Sequence, residues 1–359
     1  MSRKSRKFKT SHLKKTAPFR LLIVPLAGLL FRSFSGGMQA SPPALVYAVA
    51  RGIGRLLWLA SAKRRNTALR NLEIAFGDKY NIKERRRIAR RSFQHFLMTI
   101  FDVFLLPRYK GNDWLAQVSM SQSQRELLDR IKSHPGPVAF HTGHMGSWEF
   151  SSGIAGWAGK PLTVVYRPLE FEPVDREIRR LRTSQGVKAC AKKGAFRGYL
   201  KGLKNNEWLG VIADQNAGRS AAFVDFFGIP ASTEASYFPL YQRFNTLACT
   251  FFAIREGNTF RFKVKGLYTT EVNRDADSVT ESLRLAQWYM KCLEETVREH
   301  PEQYNWLHNR WRSRPPEAPS IYKDLGKPLD PQILEQQPAS PILPHKWQDA
   351  EDGNKTGRF

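Results

Sequence analysis

Cysteine is scarce in this 359-residue chain: Cys190, Cys249 and Cys292 are the only three, and they lie far apart. Such spacing excludes a disulfide framework, matches no zinc motif and fits a reducing compartment. Acidic residues are few as well, 32 against 57 Lys and Arg, which leaves a net charge of +25 and a pI near 10.2. A chain so basic needs an acidic partner, either nucleic acid or an anionic membrane with its lipids. No stretch reaches the roughly 20 clean apolar residues of a spanning helix. There is no G-x-S-x-G elbow to present a nucleophilic serine, and there is no internal repeat.

What is present leans toward lipid. Nine Trp and 23 Phe suit a membrane interface, where amphipathic rings settle; nucleic acid is not the expected partner. Residues 1–15 carry seven Lys/Arg and no acid, so residues 1–18 read as a basic, disordered arm. Two apolar runs follow within residues 19–62: Leu21–Phe31, broken by Pro25, and Ala44–Ala60, which contains Arg51 and Arg55. Together they read as an interfacial or shallowly inserted anchor, with a plain core helix as the alternative for the second. A secretory signal is disfavoured, because Phe31-Arg32-Ser33-Phe34 makes a poor cleavage site. Basic flanks on both sides, ending in Lys63-Arg64-Arg65, keep both ends on the cytoplasmic face.

From residue 63 the periodicity changes. Asn66–Arg91 is helical and strongly basic, broken at Gly77-Asp78, and Ile82–Leu106 forms a further helix that Pro107 ends. From Val138 onward short apolar runs alternate with helical segments. Leu162–Tyr166, Val187–Ala191 and Trp208–Ala213 read as strands. Leu247–Arg255 and Thr259–Leu267 read as a strand pair across Glu256-Gly257-Asn258. Asp175–Gln185, Ala195–Lys204 and Ser278–Glu299 read as helices, the last with Leu283, Ala286, Met290, Leu293 and Val297 at 3-4 spacing. The fold class is therefore α/β, a mixed central sheet flanked by helices behind an N-terminal helical membrane-associating segment. The main domain covers residues 63–314, and a Pro-rich tail at 315–359 is too polar to fold alone.

The chemistry centres on Val138–Phe150, a buried strand that ends in a glycine-rich turn and enters a helix. Such turns sit at the carboxyl edge of a sheet, where open α/β folds hold their ligands. His144 lies in the turn and Glu149 in the first helical turn. An imidazole titrates near neutrality and serves as a general base once its other nitrogen is held by an acceptor. Glu149 is the expected acceptor, and amides at the helix start are the expected oxyanion donors. The blander alternative makes Ser147 a helix cap and His144 a satisfied polar residue. His141 lacks companions for a metal site, so no metal is expected.

Seven blocks in order resemble the lipid A late acyltransferases, of the lauroyl/myristoyl type, within the wider lysophospholipid-acyltransferase-like superfamily. They are Arg65-Asn66…Asn71-Leu72-Glu73-Ile74-Ala75-Phe76, His144-Met-Gly-Ser-Trp-Glu149, Tyr166-Arg167-Pro168-Leu169, Lys193-Gly194-Ala195-Phe196-Arg197, Ala213-Asp214-Gln215…Gly218, Phe226-Phe227-Gly228-Ile229-Pro230-Ala231-Ser232-Thr233 and Pro301-Glu302-Gln303-Tyr304…Trp306-Leu307-His308…Arg310-Trp311. The resemblance spans roughly residues 60–315. Two positions depart from the family's pattern: Ser147 replaces its usual Asn, and Asp102 stands where it has Glu.

The resemblance implies an enzyme on the cytoplasmic face of a bacterial inner membrane. It would move a fatty acyl chain from an acyl carrier protein or coenzyme A thioester to a hydroxyl of a glycolipid such as a lipid A precursor. His144 and Glu149 would be catalytic. Arg167, Asp214, Gln215 and Arg197 would bind substrate, with no cofactor beyond the thioester co-substrate. Without a serine or cysteine nucleophile, the acyl group would pass directly from donor to acceptor. Acylation of another polar lipid, or a non-catalytic basic membrane- or nucleic-acid-binding role, are the competing readings.

Overall fold

The computed structural model describes residues 24–342 apart from 193, 220 and 317. The basic arm at 1–18 and the last part of the tail, residues 343–359, lie outside the described residues.

Four helices open the chain: α1 (Val24–Ala40), α2 (Pro43–Ala60), α3 (Ala62–Phe76) and α4 (Ile82–Leu105). Pro43 at its first position starts α2 without a donor to leave unsatisfied. A capping box starts α4, with Asn81 accepting from the Glu84 amide and Glu84 accepting from the Asn81 amide. Gly54 lets α2 and α4 cross in backbone contact, since a Cβ there would lie 2.8 Å from the Gln94 Cα. Among the described residues α2 is the one helix long and apolar enough to cross a membrane. Leu26, Leu29 and Leu30 of α1 and Leu45, Leu56 and Leu59 of α2 are all more than half exposed.

The rest of the chain builds the sheet. In order come α5 (Asn112–Ala116), β1 (Val118–Ser119), α6 (Gln122–Lys132), β2 (Val138–Thr142), α7 (Trp148–Ser151), α8 (Ile154–Ala158), β3 (Leu162–Tyr166), α9 (Glu172–Thr183), β4 (Val187–Ala191), α10 (Ala195–Lys204) and β5 (Trp208–Ile212). A two-stranded hairpin follows, β6 (Ala222–Phe226) and β7 (Ile229–Thr233), then α11 (Phe238–Phe244), β8 (Leu247–Arg255), β9 (Phe262–Thr270), α12 (Ser278–Glu299) and α13 (Pro331–Glu335). The main sheet has seven strands in the order β1-β9-β8-β2-β5-β3-β4. Its neighbours run parallel except β8 and β9, which are antiparallel. This is the mixed α/β sheet flanked by helices that the sequence pattern predicts.

Every residue of β2 is buried, as expected of a strand covered on both faces. Alternation still sorts its side chains. Ala139 joins a core formed with α3, α10, α11 and α12, whereas Val138 and Phe140 join a core formed with α2, α5 and α8. Helix α4 contributes to both cores, Phe93 to the first and Met98 to the second.

Three local expectations shift. β9 runs three residues later than 259–267, because Glu256 donates to the Arg261 carbonyl and the connection extends through Arg261. The basic helix α9 starts at Glu172 rather than Asp175, with Pro173 inside its first turn. The Phe226–Thr233 block is a hairpin, unforeseen because Pro230 argues against a strand. In a two-stranded ribbon Pro230 is tolerated, and the turn is made by Phe227 and Gly228, both at positive φ. The described part of the tail packs on the domain: Ile321 is buried, Arg70 donates to its carbonyl, and Ile342 bridges to Phe223.

Candidate active site

β2 and β5 are adjacent and parallel, with Thr142 paired to Ile212. Two residues past each strand end, the same register brings His144 to Asp214. The His144 Nδ1 lies 2.8 Å from Asp214 Oδ1, and the His144 amide donates to Asp214 Oδ2 at 2.9 Å. Asp214 is buried. Burial alone raises its carboxyl, but the charge of His144 and the hydrogen bonds from its ring and amide outweigh that and hold it below its usual range. A carboxylate on Nδ1 fixes the tautomer that leaves Nε2 as the acceptor. That Nε2 faces the Gln215 side-chain nitrogen at 3.1 Å, at the exposed side of the site. The Trp148 ring packs against the imidazole with centroids 4.9 Å apart.

The turn that carries His144 is clamped from three directions. Gly146 has φ +56°, and a Cβ there would fall 2.1 Å from the Ala253 carbonyl oxygen, so only glycine fits. The Gly146 amide donates to the Gln303 carbonyl, the Ser147 amide to the Ala253 carbonyl, and the Asn305 amide to the His144 carbonyl. Met145 and Tyr304 form a single antiparallel bridge. The Gln303–Asn305 part of the C-terminal block thus builds the floor of the turn. Sequence reasoning marked that block as a signature without a role.

One expectation about the helix start is corrected. α7 is only four residues long, and some amides around its start are already used: Gly146 and Ser147 donate to backbone carbonyls, and Phe150 donates to the Ser147 hydroxyl. None of these three is free to hold an oxyanion, whereas the Trp148 and Glu149 amides of the first turn have no such hydrogen-bond partner among the described residues. The Glu149 side chain does not reach His144. Its buried carboxylate is gripped by Arg182 of α9, through Nε at 2.8 Å and through Nη2. The place expected for Glu149 on Nδ1 belongs to Asp214. The charge of Glu149 outweighs the burial of Arg182 and raises the guanidinium above its usual value.

Ser147 and Asp102, the two departures from the family's pattern, touch each other. The Ser147 hydroxyl donates to Asp102 Oδ2 at 2.5 Å while accepting from the Phe150 amide. The fully buried Asp102 also accepts from the Tyr47 hydroxyl at 2.6 Å and pairs with the buried guanidinium of Arg255. This network ties α2, α4, the His144 turn and β8 together. It was missed because its members are spread over more than 200 residues and each looks like a core-facing position.

Of the remaining predicted residues, Gln215 sits beside His144. Arg167 stands exposed just past the end of β3, on the same sheet edge, and Arg197 stands exposed on α10. The structure places neither in hydrogen-bond contact with His144. His141 faces away from the site, its ring stacked on Phe238 and its Nε2 3.1 Å from the Tyr241 hydroxyl. Among the described residues no cluster of three or more metal-ligating side chains occurs. Behind Asp214 lies the buried Arg310, which donates to the Ser232 carbonyl and the Thr233 hydroxyl.

A histidine with a buried carboxylate on one nitrogen and a lone pair on the other, set at the carboxyl edge of an α/β sheet, is an arrangement chemically able to take a proton from a hydroxyl, as enzymes of several classes do. Comparison with known proteins narrows the class. Residues 26–313 match the model of the bacterial lipid A biosynthesis acyltransferase family. The lipid A biosynthesis lauroyltransferase of Escherichia coli (strain K12) is 25% identical over 293 residues, covering 78% of this chain and 90% of that protein. The lipid A biosynthesis acyltransferase of Haemophilus influenzae is 28% identical over 295 residues, covering 77% and 89%. The lipid A biosynthesis palmitoleoyltransferase of Escherichia coli (strain K12) is 23% identical over 291 residues, covering 79% and 90%. The chain belongs to the bacterial lipid A biosynthesis acyltransferase family and is an acyltransferase.

Proposed function

We propose that this enzyme transfers a fatty acyl chain from an acyl-thioester, carried by acyl carrier protein or coenzyme A, to a hydroxyl of a lipid A precursor. His144 Nε2 removes the proton of the acceptor hydroxyl as its oxygen attacks the thioester carbonyl. A C–O bond forms, the C–S bond breaks, and the thiolate leaves with the proton that His144 returns. Asp214 holds the imidazole in the working tautomer and balances the imidazolium. Gln215 occupies the place on Nε2 that the acceptor hydroxyl takes over. No cofactor beyond the co-substrate is used. Arg167 and Arg197 offer exposed guanidinium groups for the anionic ends of the two substrates. Glu149 acts through Arg182, pinning the short helix α7 to α9, and so positions the turn.

The observation that carries this reading is the two-point contact between Asp214 and His144. The exposed apolar sides of α1 and α2 support a seat in the cytoplasmic face of the inner membrane. The test is transfer by purified enzyme from acyl-carrier protein and acyl-coenzyme A to a lipid A precursor, read by mass spectrometry. His144→Ala should remain folded and lose about 10²–10⁴-fold in rate. A folded His144→Ala enzyme with near-normal turnover would overturn the assignment of the base. The lipid profile of a deletion strain identifies the acceptor, and an acyl chain missing from another polar lipid would replace the lipid A precursor in this reading.

A further inference from the structure

A second feature lies away from the His144 ring. A cavity of ≈ 850 Å³ opens between α2, α4 and the β8–β9 connection, a volume in the range of small-molecule sites. Its walls carry Arg51 and Arg55 from α2, Arg90 and Arg91 from α4, Arg255 from β8 and Lys263 from β9. Arg255 is already spent on Asp102. The other five cations have no carboxylate within ion-pairing distance among the described residues. Only two carboxylates line the cavity, Glu256 and Glu302, and Glu256 accepts from Ser119.

The close crossing of α2 and α4 at Gly54 creates this concentration of charge. Arg51 and Arg55 flank that glycine, and Gln94 beneath it brings Arg90 and Arg91 within one helical turn. His95 in the same wall is held down to about 3 by burial and by the charges of Arg255, Arg91 and Arg51. It therefore stays neutral and adds no repulsion near pH 7. Like charges gathered around a cavity cost free energy unless an anion joins them. On the same helix Leu56, Leu57 and Leu59 are 65%, 40% and 71% exposed. A cationic cavity beside an exposed apolar helix side matches the two halves of a lipid, headgroup and chains.

We propose that this cavity is a headgroup site for a membrane lipid bearing a phosphomonoester, separate from the acyl-transfer centre. The proposal shares the membrane placement of the reading above and does not depend on acyl transfer. Arg90 and Arg91 from one wall, with Arg51 and Arg55 from the other, supply forked donors that match phosphate oxygens. Gln303 lines the cavity and also accepts the Gly146 amide. Site and catalytic turn thus share a wall.

The test is flotation of the full-length protein with phosphatidylcholine vesicles, alone, doped with phosphatidic acid, or doped with phosphatidylglycerol to the same surface charge. Wild type should prefer phosphatidic acid. Arg90→Ala with Arg91→Ala should lose about 30-fold of that preference, at about fivefold for each basic residue removed. Arg51→Gln with Arg55→Gln probes the opposite wall and guards against a folding defect in the first pair. Lys201→Ala with Lys204→Ala, on exposed residues of α10, should bind like wild type. So should His144→Ala, which separates this site from the transfer reaction. Equal binding to both anionic lipids, or equal losses in the cavity and control variants, would overturn the proposal. Competition by soluble glycerol phosphate as strong as that by the vesicles would overturn its assignment to a lipid.

Discussion

Asp214 holds His144 at two points, one carboxylate oxygen on the ring nitrogen and the other on the backbone amide. A ring held only at Nδ1 can pivot about that bond, whereas a residue held at ring and backbone cannot. The carboxylate therefore sets tautomer, ring plane and turn conformation together. Asp214→Asn replaces the acceptor on one side with an amide and favours the wrong tautomer. Transfer should fall about 10²–10⁴-fold with near-normal circular dichroism. Asp214→Asn with wild-type turnover would remove Asp214 from the mechanism.

Glu149 and Arg182 form a buried pair that closes α7 onto α9. Glu149→Gln leaves the guanidinium without its counter-charge. The expected loss is about 3 kcal/mol, the low end for breaking a buried pair, since Arg182 keeps 27% of its side chain exposed. Denaturant unfolding in detergent measures it. Adding Arg182→Met should recover part of the loss, with a coupling of about 1–3 kcal/mol. Additive losses would mean that the pair contributes nothing.

Gly146 and Gly143 should respond differently to alanine. At Gly146 the added methyl meets the Ala253 carbonyl at 2.1 Å in a backbone of positive φ, and neither can yield. Gly146→Ala should fail to accumulate as folded protein. At Gly143 the nearest atom is the Leu293 side-chain Cδ1 at 2.8 Å, which can turn aside, so Gly143→Ala should fold with a lowered melting temperature. Expression followed by thermal melting distinguishes them.

Acid should destabilise the enzyme from about pH 6.5 downward. Burial holds His141 down to about 3 and His308 to about 4. The unfolded chain takes up these protons near 6.5 and the folded one does not, so stability falls as pH drops from 6.5 toward those values. Each histidine contributes at most about 1.4 kcal/mol per pH unit. Asp214 adds a later loss: its lowered carboxyl stabilises the fold above its usual value of 3.8, and that contribution disappears only below it. Melting temperature measured against pH checks both. His141→Asn should shrink the slope between 6.5 and 3, and an unchanged slope would exclude His141 as its source.

Much of the sheet was legible because its strands are buried apolar runs bounded by glycine, proline or charge. β2, β3, β4 and β8 fall where that pattern puts them, β5 one residue shorter, and α12 follows its 3-4 spacing. His144 was legible because it sits in a strand–turn–helix junction. Its partner was not, because strand order is a non-local property. Nothing near residue 214 reveals that β5 lies beside β2. Glu149 drew attention by proximity in sequence, but the shortness of α7 and the Ser147 cap direct it to Arg182. The pairing of Asp102 with Arg255 was hidden in the same way, since more than 150 residues separate them and neither reveals its counter-ion locally.

The floor under the His144 turn is laid by Gln303, Tyr304 and Asn305, and its far wall by Ala253 on β8. These partners follow the turn by more than 100 residues. On the ribosome, which delivers the chain from the N-terminus, the first four helices and β2 emerge first and wait. Pairings of such long range form late and slowly. The first helices can therefore be made and folded before the site around His144 is complete. Its chemistry switches on only when almost the whole domain has been made.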